Sequence, residues 1–137
     1  MVVRPVSRSW NKEIEVRLAS TPGKGARCTT ESYFPSADYH AEEKQFASLG
    51  SDIVRVGDWH SHACRNAGAS DGDIDAWLKS FLVANEKRGV ASYVGLIAAE
   101  DDSRGVVRAK FKAFALSYDR SGRVICEPAN LSIPGRN

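Results

Sequence analysis

Apolar and polar residues alternate along several short stretches of the chain, which is the pattern of half-buried β-strands. The alternation is clear in 13–18, while 92–98 is almost continuously apolar, as expected for a central strand. The β-branched run 53–56 leads into Gly57-Asp58-Trp59 and predicts a buried strand that continues into this segment. The predicted strands are 13–18, 28–34, 53–59, 92–98, 106–116 and 123–126.

A spacing of three and four residues between apolar positions predicts two helices. In the second, Ser70 has the position of an N-cap and Asp73 falls in the first turn, where a carboxylate is favoured. This helix should end at Gly89, after a cationic last turn. The first helix is predicted from Pro35 to Gly50. Their apolar faces consist of Tyr39, Phe46 and Leu49 in the first, and Ile74, Trp77, Leu78, Phe81 and Leu82 in the second.

The order of these elements predicts an α+β domain with a mixed or largely antiparallel sheet flanked by helices. We expect an irregular N-terminus at 1–12, the folded domain at 13–127 and a loosely ordered tail at 128–137. The chain has 137 residues, 42% of them hydrophobic, which suits one core and leaves little room for a second.

Charge, hydropathy and cysteine content limit the partners, the location and the covalent links that we expect for this chain. The net charge of +2 gives little reason to expect a nucleic-acid partner. Neither an apolar run of about 20 residues nor a signal-peptide pattern is present, so we expect a cytoplasmic protein without a membrane partner. The three cysteines form no CxxC pair, which argues against disulfides and against a cysteine zinc site. An exposed strand edge beside the short N-terminus favours pairing with a second copy, and therefore a homodimer.

Two histidines and one carboxylate suggest a metal site. His60 and His62 lie two residues apart where the predicted strand ends, so an extended backbone there projects their side chains to the same side. Asp73 at the helix start would add a carboxylate oxygen, which gives three ligands and leaves the fourth position of a tetrahedral Zn²⁺ open. Such an open site is typical of catalytic zinc. The ordinary alternatives are unrelated histidines and a simple capping box formed by Ser70 and Asp73.

The same residues carry a resemblance to the JAMM/MPN metallopeptidases. The family motif is His-x-His, seven residues, Ser, two residues, Asp, and it is matched by His60, His62, Ser70 and Asp73. The resemblance implies an MPN fold, which is cytidine-deaminase-like, with zinc held by both histidines and Asp73. It further implies that Ser70 helps to bind the polarised carbonyl or oxyanion. The Gly57-Asp58-Trp59 run looks most like bacterial stand-alone members, some of which are deconjugating peptidases in antiphage CBASS operons.

The general base is where the sequence departs from the family. The family's glutamate lies in a Glu-x-Gly-Gly run upstream of the metal strand, whereas residues 1–12 contain no glutamate and are too few for the family's first helix and strand. Three explanations stay open: a chain that starts late, recruitment of Glu13 or Glu15, or an inactive metal-binding domain. Glu13 and Glu15 share one side of their strand and would reach the site only if that side lines the cleft.

Two functions are compatible with these residues. The first is a zinc-dependent peptidase or isopeptidase that acts on a protein or peptide substrate, such as a ubiquitin-like conjugate, through a metal-activated water. The second is a catalytically inactive JAMM-like domain that serves as a protein-binding scaffold. A zinc deaminase is disfavoured because the chain lacks both His-x-Glu and Pro-Cys-x-x-Cys.

Overall fold

A computed structural model describes residues 1–5, 13–17, 19–20, 27–28, 33–34, 44, 48, 54–62, 66–101, 105 and 108–133. The chain forms two compact units, one of Met1–Val16 with Val56–Asn137 and the other of Arg17–Arg55. The elements of the first unit are β1 (Val2–Pro5), β2 (Ile14–Glu15), β5 (Gly57–Ser61), α1 (Asp71–Arg88), β6 (Ser92–Asp101), β7 (Arg108–Tyr118) and β8 (Val124–Ser132). The second unit contains β3 (Arg27–Cys28) and β4 (Tyr33–Phe34).

In the first unit, the strands form one six-stranded mixed sheet in the order β2-β1-β8-β7-β6-β5. β5 and β6 are parallel, and every other neighbouring pair is antiparallel. The parallel pair requires a crossover, which α1 provides between the two strands. The predicted α+β class and mixed sheet are therefore confirmed.

The smaller unit bears on two of the sequence predictions. Cys28 pairs antiparallel with Tyr33, which two residues of one strand cannot do, so the single strand predicted at 28–34 is wrong. The helix predicted at 35–50 lies outside the described residues, except that Lys44 and Ser48 are both helical.

The two ends of the larger unit differ from the sequence prediction. Val2–Pro5 was expected to be irregular, yet it forms β1 and pairs with both β2 and β8. The last strand was expected to be a short edge at 123–126 with a loose tail, but β8 continues to Ser132 inside the sheet. These two corrections belong together because β1 supplies the backbone partner that extends β8.

The core lies on both faces of the sheet. On one face, Trp77 and Phe81 of α1 pack with Tyr93, Ile97 and Leu116. On the other face a second buried cluster is formed by Val3, Ile14, Val94 and Ala113. The alternation along β6 explains the division, since consecutive residues of a strand point to opposite faces. Within the described residues, no helix combines the length and the apolarity needed to cross a membrane.

Candidate metal centre

The strand β5 places two imidazoles on the face covered by α1. His60 lies opposite Ile97 of β6, whose side chain is fully buried beneath that helix. His62 follows the end of β5, but its backbone N–H donates to the carbonyl of Ala98 at 2.8 Å, which continues the parallel ladder. Because the extended conformation persists to His62, both rings point to the same side.

The start of α1 fixes the carboxylate. Ser70 is the N-cap, and its Oγ accepts a hydrogen bond from the backbone N–H of Asp73 at 3.2 Å. In return, Asp73 Oδ2 accepts from both the N–H and the hydroxyl of Ser70, each at 2.7 Å. The predicted capping box is therefore confirmed, and it orients the carboxylate toward the end of β5.

The three side chains meet at one point. His60 Nε2 lies 3.0 Å from Asp73 Oδ1, and His62 Nε2 lies 3.3 Å from Asp73 Oδ2. The two Nε2 atoms are 3.1 Å apart. One ligand atom from each of the three residues lies within 4.8 Å of the others, so the group could hold a metal ion.

The chemistry of the donor set suits zinc. Ligand atoms bound at about 2.0–2.1 Å in a tetrahedral arrangement stand roughly 3.3 Å from one another, close to the spacing observed. His62 Nδ1 lies 3.0 Å from the carbonyl oxygen of Asn66, an acceptor that requires the Nδ1–H tautomer. This hydrogen bond leaves the lone pair of His62 Nε2 directed at the shared point, as the hydrogen bonds to the other ring nitrogen of metal-bound histidines do.

The electrostatics favour the protonation states that a metal needs. Burial lowers the pKa of His60 below its ordinary value, an effect that the charge of Asp73 only partly offsets. For Asp73, burial alone would raise the pKa, but the hydrogen bonds from Ser70 and the neighbouring imidazoles together hold it below its usual range. A neutral imidazole and an ionised carboxylate are therefore the favoured forms at neutral pH.

These shifts predict how the stability of the metal-free protein depends on pH. Since both pKa values are lower in the folded protein, the unfolded chain binds more protons on acidification. We expect the free energy of unfolding to fall as the pH drops below about 6.5, the ordinary pKa of histidine, and again below about 4, that of a carboxyl group. Urea unfolding of the chelator-treated protein at several pH values measures the effect.

A variant without the His60 imidazole provides the control for this prediction. In His60→Gln the upper part of the pH dependence should become smaller, because that ring no longer titrates. A wild-type protein whose stability does not change, or increases, on acidification from pH about 7 to about 5 would contradict the prediction.

Trp77 supports the site from below. Its side chain is 2% exposed, and its ring centroid lies 6.1 Å from that of His60. On the same strand as His60, Asp58 accepts a hydrogen bond from the hydroxyl of the buried Tyr93 at 2.7 Å. β5 is therefore tied to the core both beneath and beside the first histidine.

The strand order does not bring Glu13 and Glu15 to this site. They flank and form part of β2, at the opposite edge of the sheet from β5, with four strands between. Glu13 instead accepts a hydrogen bond from Arg4 Nε at 2.6 Å, and both of these side chains are exposed.

Several features of the site depend on the fold rather than on a local signal in the sequence. The carbonyl of Asn66 and the ring of Trp77 contact the histidines only because the fold brings them there. A groove of about 320 Å³ also runs from His62 to Glu100 and Arg108, residues far apart in the chain. Among these features, only the buried position of Trp77 could have been anticipated, from its place on the apolar face of the helix.

Comparison with protein-family models, with curated proteins and with solved structures finds no match to this chain. The metal centre therefore rests on its own geometry and on the motif that its residues form.

Proposed function

We propose that this protein is a zinc-dependent peptidase or isopeptidase of the JAMM/MPN type. The observation that carries the proposal is the convergence of His60, His62 and Asp73 on one point, with ligand atoms within 4.8 Å of one another. Two neutral imidazoles and one carboxylate form a three-ligand set, and three protein ligands with one open position are typical of catalytic zinc sites. The side chains are partly exposed, with 34% of His60 accessible, so a substrate has access.

In this proposal three residues hold the ion and a fourth orients one of them. His60, His62 and Asp73 hold the ion, and Asn66 keeps the ring of His62 in the required tautomer through its carbonyl oxygen. Bound zinc supplies Lewis-acid activation of water and of the scissile carbonyl.

The position of Ser70 places a condition on its catalytic role. A hydroxyl has one proton to donate, and Ser70 donates it to Asp73 Oδ2 at 2.7 Å. Ser70 therefore acts first as a positioning residue for a zinc ligand. To donate to a carbonyl oxygen of the substrate, as the family resemblance implies, it would have to release this hydrogen bond.

The substrate class follows from the resemblance rather than from the site. JAMM/MPN peptidases act on protein conjugates, so we propose a peptide or isopeptide bond, including that of a ubiquitin-like conjugate.

Hydrolysis requires a proton carrier between water and the leaving amine. The sheet order leads us to expect that Glu13→Gln and Glu15→Gln leave turnover unchanged, because β2 and β5 are the two opposite edge strands and neither glutamate belongs to the metal group.

The convergence of the three ligands also supports a second candidate function. A domain that binds zinc but has no carboxylate placed for proton transfer would serve as a protein-binding scaffold. The position of Glu13 and Glu15, across the sheet from β5, favours this candidate.

A hydrolysis assay separates the two candidates. Zinc-loaded protein is incubated with fluorogenic peptide and isopeptide conjugates, and turnover is compared among wild type, His60→Ala and His40→Ala. Besides His60 and His62, the chain has one more histidine, His40, which lies outside the motif and is therefore the matched control. We expect turnover by wild type and His40→Ala but not by His60→Ala. Equal turnover by all three would contradict the peptidase, and zinc binding without any turnover would favour the scaffold.

A further inference from the structure

Three basic residues of β7 lie on the same face of the sheet as the metal ligands. Arg108, Lys110 and Lys112 occupy alternate positions of the strand, so their side chains share one face. In the register of the sheet, Lys112 lies opposite Ile97, which lies opposite His60. Cross-strand partners share a face, and two inter-strand spacings separate the strand of His60 from that of Lys112 by about 10 Å. We call Arg108, Lys110 and Lys112 the basic row.

The basic row is available to a ligand. Arg108 and Lys112 are exposed, and Lys110 is half-buried. Within the described part of the chain, no side chain of the row takes part in an ion pair. On β6, the acidic Asp101 lies opposite Arg108, whereas the apolar Ala99 and Ile97 lie opposite Lys110 and Lys112.

The metal centre and the basic row lie at the same end of the sheet. A groove of about 320 Å³ at this end is lined by His62 and Arg108, but not by Lys110 or Lys112. Its lining also includes Ala98, Glu100 and Ala109, which alternate with Ile97 and with the row and therefore face the other side of the sheet. The register of β5, β6 and β7, rather than the groove, therefore places the row beside the metal ligands.

We propose that the basic row binds an extended acidic segment of the substrate, next to the bond that is cut. Alternate side chains of an extended peptide recur every 6.6–6.8 Å or so, which is also the repeat of the row along β7. Glutamate or aspartate at alternate positions would then face successive cations of the row. The proposal rests on the peptidase function and adds the charge of the substrate to it.

A peptide fits this surface better than a nucleic acid does. Single-stranded nucleic acids are bound through aromatic platforms on which the bases stack. On the described part of this face, Trp77, Phe81 and Tyr93 are buried in the core with α1, and Phe114 and Tyr118 pack against that core and are partly buried. The exposed aromatic residue of β7, Phe111, alternates with the basic row and so lies on the opposite face.

A binding experiment tests the proposal without hydrolysis. Fluorescence anisotropy follows a labelled peptide with glutamate at alternate positions as the full chain is added, in the presence of a metal chelator and at about 0.05 M salt, where screening is weak. The variant is Lys110→Glu/Lys112→Glu. Its control is Lys79→Glu/Arg120→Glu, which changes the net charge equally at exposed residues of α1 and of the turn after β7. We expect affinity about tenfold weaker in the variant and little change in the control.

The outcomes are distinct. Equal weakening in the variant and the control would overturn the proposal, because only the overall charge would then matter. An oligonucleotide of equal charge that binds more tightly than the peptide, and loses affinity in the same variant, would overturn it in favour of a nucleic acid. Lys110→Gln/Lys112→Gln, a milder change, should show the same order of effects if charge reversal impairs folding. Because the assay needs no metal, a failure of the peptidase function appears only in the hydrolysis assay and is separate from a failure of peptide binding.

Discussion

Replacing Asp73 by asparagine is expected to abolish stoichiometric zinc binding. The wild type should bind about one zinc ion per chain, because one carboxylate and two imidazoles converge on one point. Asparagine has nearly the same shape but no charge, so one of the three ligands is lost. Removal of outer-shell partners alone weakens metal binding by 10–100-fold, and we expect loss of a ligand to exceed about 100-fold. Competition with a chromogenic chelator measures the affinity.

Asp71 provides a matched control for this substitution. It lies in the same first turn of α1 and carries the same charge, but it does not belong to the metal group. Asp71→Asn should therefore bind zinc as the wild type does, although it loses the same interaction with the helix dipole. If both variants lost zinc equally, the effect would be one of helix stability and the metal centre would be wrong.

Thermal unfolding gives an independent measure of the same site. A ligand that binds only the folded protein stabilises it by about 2.7 kcal/mol when present at 100 times its dissociation constant. We expect zinc to raise the unfolding temperature of the wild type and of Asp71→Asn, but not that of Asp73→Asn. A rise of equal size in Asp73→Asn would place the ion elsewhere.

The helix and its site could be predicted because their signals are local. The N-cap at Ser70, the carboxylate at Asp73 and the glycine after the last turn all act within a few residues. The structure has these caps, and Gly89 adopts a left-handed conformation with φ 65°. The alternation of His60 and His62 is likewise a property of two neighbouring positions in one strand.

The ends of the sheet could not be predicted, because their structure depends on pairing between distant residues. Val2–Pro5 has no period of its own and forms a strand through hydrogen bonds to β8 and β2. The loosely ordered tail was expected to begin at Pro128, yet this residue lies opposite Phe114 within β8. A proline lacks one backbone donor but does not prevent extended backbone on both sides of it.

Strand order was the information needed to locate Glu13 and Glu15, the candidate general bases, and the basic row relative to the metal ligands. From the sequence, Glu13 and Glu15 could be assigned to one side of a strand but not to an edge of the sheet. The alternation of Arg108, Lys110 and Lys112 was visible, whereas its alignment with His60 required the register of β5, β6 and β7. Local patterns therefore singled out candidate residues, and only the pairing of strands showed which of them lie on the same part of the sheet.

Substituting Gly95 by alanine is expected to destabilise the fold strongly, because Trp77 lies directly on this glycine. A Cβ atom at position 95 would stand 2.4 Å from two ring atoms of Trp77, far inside van der Waals contact. The ring is buried and packs at 5.5 Å from Phe114, which pairs with Gly95 across β6 and β7. Because the ring is only 2% exposed, moving it would disturb the core, so we expect a loss of about 3 kcal/mol, at the upper end for overpacked cores. Urea unfolding of the metal-free protein measures it.

Two further variants separate steric conflict from the general cost of replacing glycine. At Gly72, in the first turn of α1, the nearest atom to an added Cβ is Ser70 Oγ at 3.7 Å, an ordinary contact. Gly72→Ala should therefore be neutral or stabilising by up to about 1 kcal/mol, as expected in a helix. Trp77→Phe makes room beside position 95, so the double variant with Gly95→Ala should lose less stability than the sum of the single changes. Additive losses would show that Trp77 does not contact Gly95, and the support of His60 by that ring would then fail as well.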